Sequence, residues 1–546
     1  MLKKIFKKEM KEKTKKGNGS KKLKIGIFAL LNTFVGMTAS AIQNSNVNLP
    51  KEFTQDIAAN GYENEVFDYD FDNDGTDEKV VVSYNEENNF LNAIVSIYTN
   101  QNGKNMLSYQ ITFNKKINIL NLEEMSKLLD KVKEYYSEYS KNMSPDETRH
   151  IMIYDDNRNS EIVFSKLKFD KHSPKDLDNF LFVKNASELL DAPKGKSIVT
   201  LKYSEKPKLL FEMVSDANQQ KLYYTEITKK GSTNVNHIKE KKSKIKPLTF
   251  KGFVVDRGNN VIKRGFFWDK MVTKMDNVNK FIEETLDAGQ DINIITEYAP
   301  LSHDKESKKD KFGNKNNQSV VAYTNPDKKG EIINVPDQTL FRILGEEKGM
   351  LKIETPFYGG PYYISKDKDS YKKVENINGA INKFVAIDPS SQAEMLFERD
   401  PETNKYKVVT YSFVTTGKDG SGSYETPHGA FLIAFTRGYM PFTRKAREGD
   451  TPLPERPDLT IAGVAKFAVR FSGGGYLHGI PVNTHFKGET ALTETAAKIG
   501  TFKESHKCVR HFDDQVGFIV DWINAGSKIK DGDNTIPEEP VVAIVL

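Results

Sequence analysis

Alternating apolar and polar positions predict strands along most of the chain. Val66-Phe67, Val80–Val82, Ala93–Ile97 and Tyr109–Phe113 follow the two-residue period of half-buried strands. Leu122, Met125, Leu128, Leu129, Val132, Tyr135 and Tyr136 recur instead at helical spacing, with Glu and Lys between them. That spacing predicts one amphipathic helix over Leu120–Met143, packed on the sheet. Phe182–Ile227 reads as short strands broken by Ala192-Pro193-Lys194-Gly195 and Glu205-Lys206-Pro207. Val320–Ile364 repeats the scheme around Asn325-Pro326-Asp327-Lys328-Lys329-Gly330, and its Tyr362-Tyr363 echoes Tyr223-Tyr224. Short strands with Pro/Gly turns predict small barrels. From Phe384 onward strands are expected at Phe384–Ile387, Ala393–Arg399, Lys407–Thr415 and Phe431–Thr436, with turns at Asp388-Pro389 and Asp400-Pro401. This last stretch reads as an all-β core.

Between the two barrel-like segments, Lys229–Lys246 and Ser302–Gln318 are rich in Lys, Asn and Ser and poor in apolar residues, which marks linkers. Phe266-Phe267-Trp268 and a helix-like Asn277–Ala288 lie between these linkers and predict a small ordered insert of no evident role. The expected chain is multidomain and mainly β. It runs as an N-terminal α+β domain over 50–170, small barrels over 180–228 and 318–375, the insert over 248–300, and a β domain over 382–546.

Length supports that division, since 546 residues exceed what one core serves. Charge adds an address. Residues 1–24 hold eleven lysines and two glutamates, an uncharged apolar stretch follows from Ile25 to Thr38, and Ala39-Ser40-Ala41 comes next. This reads as an export signal over residues 1–41, with an uncleaved anchor as the alternative. The expected location is therefore outside the cytoplasm, in the periplasm or cell wall, with the membrane engaged only through that signal. The signal carries +9 against +5 for the whole chain, leaving about −4 for the rest. The basic balance belongs to the signal, so nothing here points to nucleic acid.

Asp70, Asp72, Asp74 and Glu78 space oxygen donors around a turn at Gly75, ahead of a strand-like Lys79–Tyr84. Hard cations such as calcium take that donor set, which makes a structural Ca²⁺ one expectation and an acidic solvated turn the other. An EF-hand is excluded because Val81 stands where its last acid belongs. The loop resembles the calcium loops of FG-GAP-type β-repeats.

The chain holds one cysteine, Cys508, in Ser505-His506-Lys507-Cys508-Val509-Arg510. An internal disulfide is excluded, so Cys508 is either a small buried hydrophobe or a thiol kept for its reactivity. A thiolate needs cations or a base nearby, and His506, Lys507, Arg510 and His511 all lie within three residues. Tyr476-Leu477-His478-Gly479 supplies an imidazole distant in sequence, as a cysteine's base commonly is. Seven of the twelve arginines fall between Arg399 and His511 in a chain that otherwise uses lysine, which suggests carboxylate recognition. A zinc site from His478, His485, His506 and Cys508 matches no compact ligand spacing.

Three motifs in order carry a family resemblance. Thr415-Thr416-Gly417-Lys418 with Thr426-Pro427-His428-Gly429-Ala430-Phe431 comes first, His478-Gly479 second, and Ser505-His506-Lys507-Cys508-Val509-Arg510 third; Gln392 sits on an early strand. The stretch from Lys383 to Leu546 resembles an L,D-transpeptidase catalytic domain. It departs in Lys507, where the family has glycine, and in the 30 positions from His478 to Cys508. The barrel-like segments resemble bacterial SH3-like domains, common appendages of wall enzymes.

The resemblance implies a β-sandwich that needs no cofactor for catalysis. It implies that Cys508 attacks the carbonyl before a terminal D-alanine of a peptidoglycan stem peptide, with His478 as base. Gly479 would let the chain pass close to this pair, Tyr476, Ser505 and His506 would shape the pocket, and Arg510 would orient substrate or hold the thiolate. Backbone N–H groups at Lys507 and Cys508 would meet the oxyanion. A second stem amine as acceptor makes a cross-link. Water as acceptor makes a carboxypeptidase, and a protein amine makes a wall-attachment enzyme. A wall-binding protein without turnover is the alternative of another class, which Lys507 raises.

Overall fold

The computed structural model describes residues 63–69, 75–87, 90–101, 103–114, 117–118, 149–154, 167–173, 179–215, 219–229, 247–264, 266–296, 309–315, 319–367, 369–420, 423–454, 456–483 and 495–546. The export segment 1–41, the helix expected over 120–143, and Asp70, Asp72, Asp74 and His485 lie outside them. The chain divides into a first unit, residues 1–155 with 178–261, and a second, residues 156–177 with 262–546. It is mainly β throughout.

In the first unit, Glu63–Tyr69, Glu78–Glu87, Phe90–Gln101 and Lys104–Asn114 form an antiparallel meander. Lys104–Asn114 then pairs in parallel with Arg149–Tyr154, whose other neighbour is Lys208–Ser215. The second edge of Lys208–Ser215 takes Lys221–Lys229, and Leu248–Val255 follows. A strand hydrogen-bonded on both edges continues a sheet. The segment expected as a barrel over 180–228 therefore continues the N-terminal sheet, while Leu189, Leu201, Leu209, Tyr223 and Val254 form a cluster within 181–261.

The expected insert over 248–300 is divided. Leu248–Val255 completes that first sheet, whereas the helix Trp268–Asp287 belongs to the second unit. Met271, Met275, Val278 and Ile282 recur at helical spacing and are all buried, packed on Phe384, Ala386, Met395, Phe397, Val542 and Ile544. Removing each such side chain from water is worth roughly 1.5–3 kcal/mol, so this face holds the helix in place. The helix is a layer over the C-terminal β domain. Residues 167–173, expected with the N-terminal domain, also join that domain: Lys168 N–H donates to Val409 O, and Phe169 bridges to Thr410.

Residues 319–373 form a small antiparallel sheet of short strands around Ala322, Ile333, Val335, Phe341, Ile353 and Ile364. Asn293–Ile295 lies within it, between Leu340–Glu347 and the edge strand Tyr371–Lys373.

The C-terminal domain is a sandwich of two sheets. One runs Tyr406–Phe413, Ala393–Arg399, Lys383–Asp388, Val541–Val545, Gly429–Leu432. Every residue of Lys383–Asp388 and Val541–Val545 is buried, because the sheet is covered on both faces. Alternation sorts them: Phe384, Ala386, Val542 and Ile544 face the helix, while Val385, Ile387, Ala543 and Val545 face the second sheet. That second sheet is built on the long strands Phe435–Lys445 and Arg456–Ser472, followed by Gly475–His478 and Val509–Arg510. The helix Asp513–Asn524 closes the core with Val516, Ile519 and Ile523.

Candidate active site

Strand Arg456–Ser472 reverses through Gly473-Gly474, with Gly474 at φ +64°, into Gly475–His478. A left-handed turn residue there favours glycine. Gly475–His478 then pairs in parallel with Val509–Arg510, in the register Leu477 with Val509 and His478 with Arg510. Side chains alternate between faces along both strands. Leu477 and Val509 enter the sandwich core with Val469 and Phe471. Tyr476 and His478 on one strand, and Cys508 and Arg510 on the other, therefore share the opposite face. There Cys508 packs with Ala468 and Tyr476, bordered by Phe435 and Met440. The pairing brings together residues 30 positions apart in the sequence.

Cys508 is buried, at 8 % exposure, and its Sγ donates toward Gly474 O at 3.6 Å. Burial pushes the thiol pKa up; the Tyr476 backbone N–H and the positive Arg510 and Lys507 pull it down by less. His478 is 1 % exposed, and its Nδ1 lies 2.7 Å from Gly479 O. A carbonyl only accepts, so Nδ1 carries the proton and Nε2 keeps its lone pair. Burial, opposed by the Gly479 bond and aided by Arg510 and His511, lowers the His478 pKa to about 3. The resting pair is thus a neutral thiol and a neutral imidazole protonated at Nδ1.

The turn before the cysteine is braced from several sides. Ser505 Oγ donates to Cys508 O, and Thr426 Oγ1 donates to Lys507 O at 2.9 Å. Thr426 Oγ1 in turn accepts from Gly417 N–H at 2.8 Å. A Cβ on Gly417 would sit 2.8 Å from the backbone N and Cα of Lys507, which is why glycine stands there. Gln392 Oε1 accepts from Thr416 N–H at 2.9 Å while its Nε2 donates to Thr416 Oγ1 at 2.7 Å. The separate sequence motifs meet in this one network.

Lys507 adopts φ +104°, the left-handed region that the glycine expected at this position would occupy without strain. Its side chain is buried, with Nζ donating to Gly473 O beside the Gly474 carbonyl that Cys508 uses. Burial lowers the ammonium pKa to about 8, opposed by Asp337 and Cys508. A cleft lined by Asn314, Lys315, Pro336, Tyr424 and Glu425 reaches this turn at Lys507.

Other expected residues fall differently. Arg510 is half-buried, its guanidinium 3.7 Å from Glu504. His506 is exposed, whereas His478 is buried on the face that holds Cys508. Gly479 makes its close approach to Asp513 and Lys466 O, where a Cβ would sit at 2.4 and 2.9 Å. It is needed against the helix Asp513–Asn524 and not, as expected, for the passage beside the thiol. His511 is fully buried, with Nε2 3.0 Å from Glu394 Oε1 beneath the site. Glu78, of the expected calcium loop, is buried at the start of its strand opposite Tyr69.

Sequence reasoning missed Asp337, Arg470 and the Gly473-Gly474 turn. The turn carried a signal, since a Gly-Gly pair after an apolar run marks a hairpin. The arginine carried only its place in a local excess of arginine.

Residues 382–530 match the family model of the YkuD L,D-transpeptidase catalytic domain. The match spans Gln392, the Thr415–Phe431 segment, His478 and Cys508, and leaves Asp337 and the cleft residues Asn314, Lys315 and Pro336 outside it. Comparison with curated proteins finds no match for the chain.

Proposed function

We propose that this is an exported, cysteine-dependent L,D-transpeptidase that cross-links peptidoglycan by acyl transfer. The reading is carried by one observation: parallel pairing of Gly475–His478 with Val509–Arg510 sets His478, its Nδ1 bound to Gly479 O, on the face that holds Cys508. Cys508 Sγ attacks the carbonyl carbon between the diamino acid and the terminal D-alanine, and its proton passes to His478 Nε2. Because burial holds that proton on sulfur and off the imidazole, transfer accompanies formation of the S–C bond. Backbone N–H groups at Lys507 and Cys508 meet the oxyanion, and Arg510 faces the negative charge. Collapse expels D-alanine, whose nitrogen takes the proton back from His478, and leaves a thioester. A side-chain amine of a second stem peptide attacks the thioester, gives its proton to His478, and regenerates the thiol. Export is supported by the lysine-rich, then apolar, then Ala-Ser-Ala start of the chain.

The test is intact mass after incubation with a carbapenem and, in a separate sample, product analysis after incubation with a tetrapeptide stem. One adduct in the parent, none in Cys508→Ala, and release of D-alanine with appearance of a peptide dimer are expected. An adduct that survives in Cys508→Ala overturns the assignment. Release of D-alanine without dimer moves the reading to the carboxypeptidase.

A further inference from the structure

The small sheet sends one turn into the L,D-transpeptidase domain. Strands Ile332–Pro336 and Leu340–Glu347 are joined by Asp337-Gln338-Thr339, with Gln338 at φ +68°. Leu432 N–H donates to Gln338 O at 3.0 Å, and Thr339 bridges to Phe431, so the turn docks on an edge of the first sandwich sheet. Asp337 is fully buried by this docking. Its Oδ2 accepts from Arg470 Nη2 at 2.5 Å, and its Oδ1 from Gln338 Nε2 at 3.2 Å. Arg470 lies on strand Arg456–Ser472, paired with Tyr476 at the turn whose Gly473 and Gly474 carbonyls hold Lys507 and Cys508.

A carboxylate without exposure costs several kcal/mol unless cations compensate it. Here Arg470 meets it directly, and the Lys507 ammonium lies in its field. Among the described residues, charged groups acting on Lys507 include Asp337, Arg470 and Cys508, and those acting on Cys508 include Lys507 and Arg510. Among these Asp337 is the one permanent anion, and it comes from outside the catalytic sandwich. Without it, Lys507 would face Arg470 in a buried site and would shed its proton. The thiolate would then lose a neighbouring ammonium.

We infer that Asp337 is a positioning residue of the acyl-transfer site: carried in by the small sheet, it holds Arg470 and with it the strand turn whose carbonyls take Lys507 and Cys508, so thiol reactivity depends on the docked neighbouring turn. The inference rests on the reading of Cys508 as nucleophile. It gives the small sheet a role in the chemistry beyond that of a spacer.

The experiment is the rate of Cys508 alkylation by iodoacetamide against pH in the full chain, for the parent, Asp337→Asn and Asp337→Glu, with a melting curve for each. Asp337→Asn keeps the shape and removes the charge. Its midpoint is expected to rise by about one pH unit, the lower end for loss of a close charge, with reaction at neutral pH falling about tenfold. Asp337→Glu restores part of the shift, which a purely structural role would not require. Lys507→Met, which replaces the ammonium with an apolar chain, is expected to raise the midpoint similarly, and adding Asp337→Asn to it to change nothing further. Should Asp337→Asn fail to fold, Lys507→Met alone decides, and a midpoint equal to the parent's overturns the inference. A folded Asp337→Asn with the parent's profile also overturns it and leaves Cys508 as nucleophile. A parent thiol inert at every pH overturns both.

Discussion

Replacing Lys507 by glycine is expected to trade reactivity for stability, and the trade carries a pH signature. Lys507 holds φ +104°, which costs a residue with a side chain about 1–2 kcal/mol that glycine does not incur. Its ammonium also titrates at about 8 against an ordinary 10.5. That difference is on the order of 3 kcal/mol against the folded state wherever the lysine is charged in both states. Losing the buried stem opposes these gains, at about 0.8 kcal/mol for each methylene. At neutral pH the glycine variant is therefore expected to be more stable by a small margin.

The pH dependence is the sharper quantity. Below pH 8 the lysine is protonated folded and unfolded, and the penalty is complete. Between 8 and 10.5 the unfolded chain binds the extra proton, so the parent's stability rises with pH relative to a chain without this lysine. The advantage of Lys507→Gly should thus shrink by on the order of 3 kcal/mol between pH 7 and pH 10.5. Urea unfolding followed by tryptophan emission measures it, since the two tryptophans, Trp268 and Trp522, both lie in the second unit. Alkylation of Cys508 in the same variant should need a higher pH than in the parent. A stability difference that stays flat from pH 7 to 10.5, or that grows in favour of glycine, refutes the account of a desolvated ammonium.

Cys508→Ala is expected to abolish acyl transfer while melting as the parent does, and retained cross-linking would remove the thiol from the mechanism. His478→Ala should lower kcat/KM on the order of 100- to 10,000-fold, the usual cost of a general base, whereas exposed His506→Ala should be mild; the reverse order would place the base at His506. Because His478 titrates at about 3 when folded and near 6.5 when free, the unfolded chain binds more protons in that window, and stability is lost as pH falls from 6.5 toward 3. His478→Gln should flatten this acid limb by roughly 3 kcal/mol, read from urea midpoints at pH 7 and 4. A calcium titration after chelator treatment tests the Asp70–Glu78 loop: a melting temperature that rises with millimolar calcium supports a bound ion, and none leaves an acidic turn.

The parts of the site legible in the sequence are those fixed by local backbone demands. Glycines at 417 and 479 stand where a Cβ would collide. The unbroken burial of Lys383–Asp388 also fits a sheet covered twice, although an apolar run does not say by what. That cover is the helix Trp268–Asp287, more than 100 residues upstream, and its own amphipathic spacing names no partner. The division of 248–300 between two units was hidden for a similar reason, since strand and helix signals are local while sheet membership depends on which edges remain open. Asp337 was the least legible. A Pro-Asp pair between strands reads as an ordinary solvated turn, and only docking against Phe431 and Leu432 takes it out of water.

These placements bear on how a chain with a single cysteine keeps it usable. Oxidation follows thiolate character and exposure, as nucleophilicity does, so a permanently ionised surface thiol would be lost to oxidants in its surroundings. Here burial raises the thiol pKa and lowers that of His478, which leaves the resting proton on sulfur. Lys507 and Arg510 work against the first shift without overcoming it. The thiolate is then favoured chiefly when a carbonyl carbon arrives to take the sulfur's charge. On the proposed function, such a site would be expected to react with acyl donors that reach the buried face and only slowly with small oxidants. The strained backbone and buried ammonium at position 507 follow the same logic, as stability given up to hold the thiol near, but not at, ionisation.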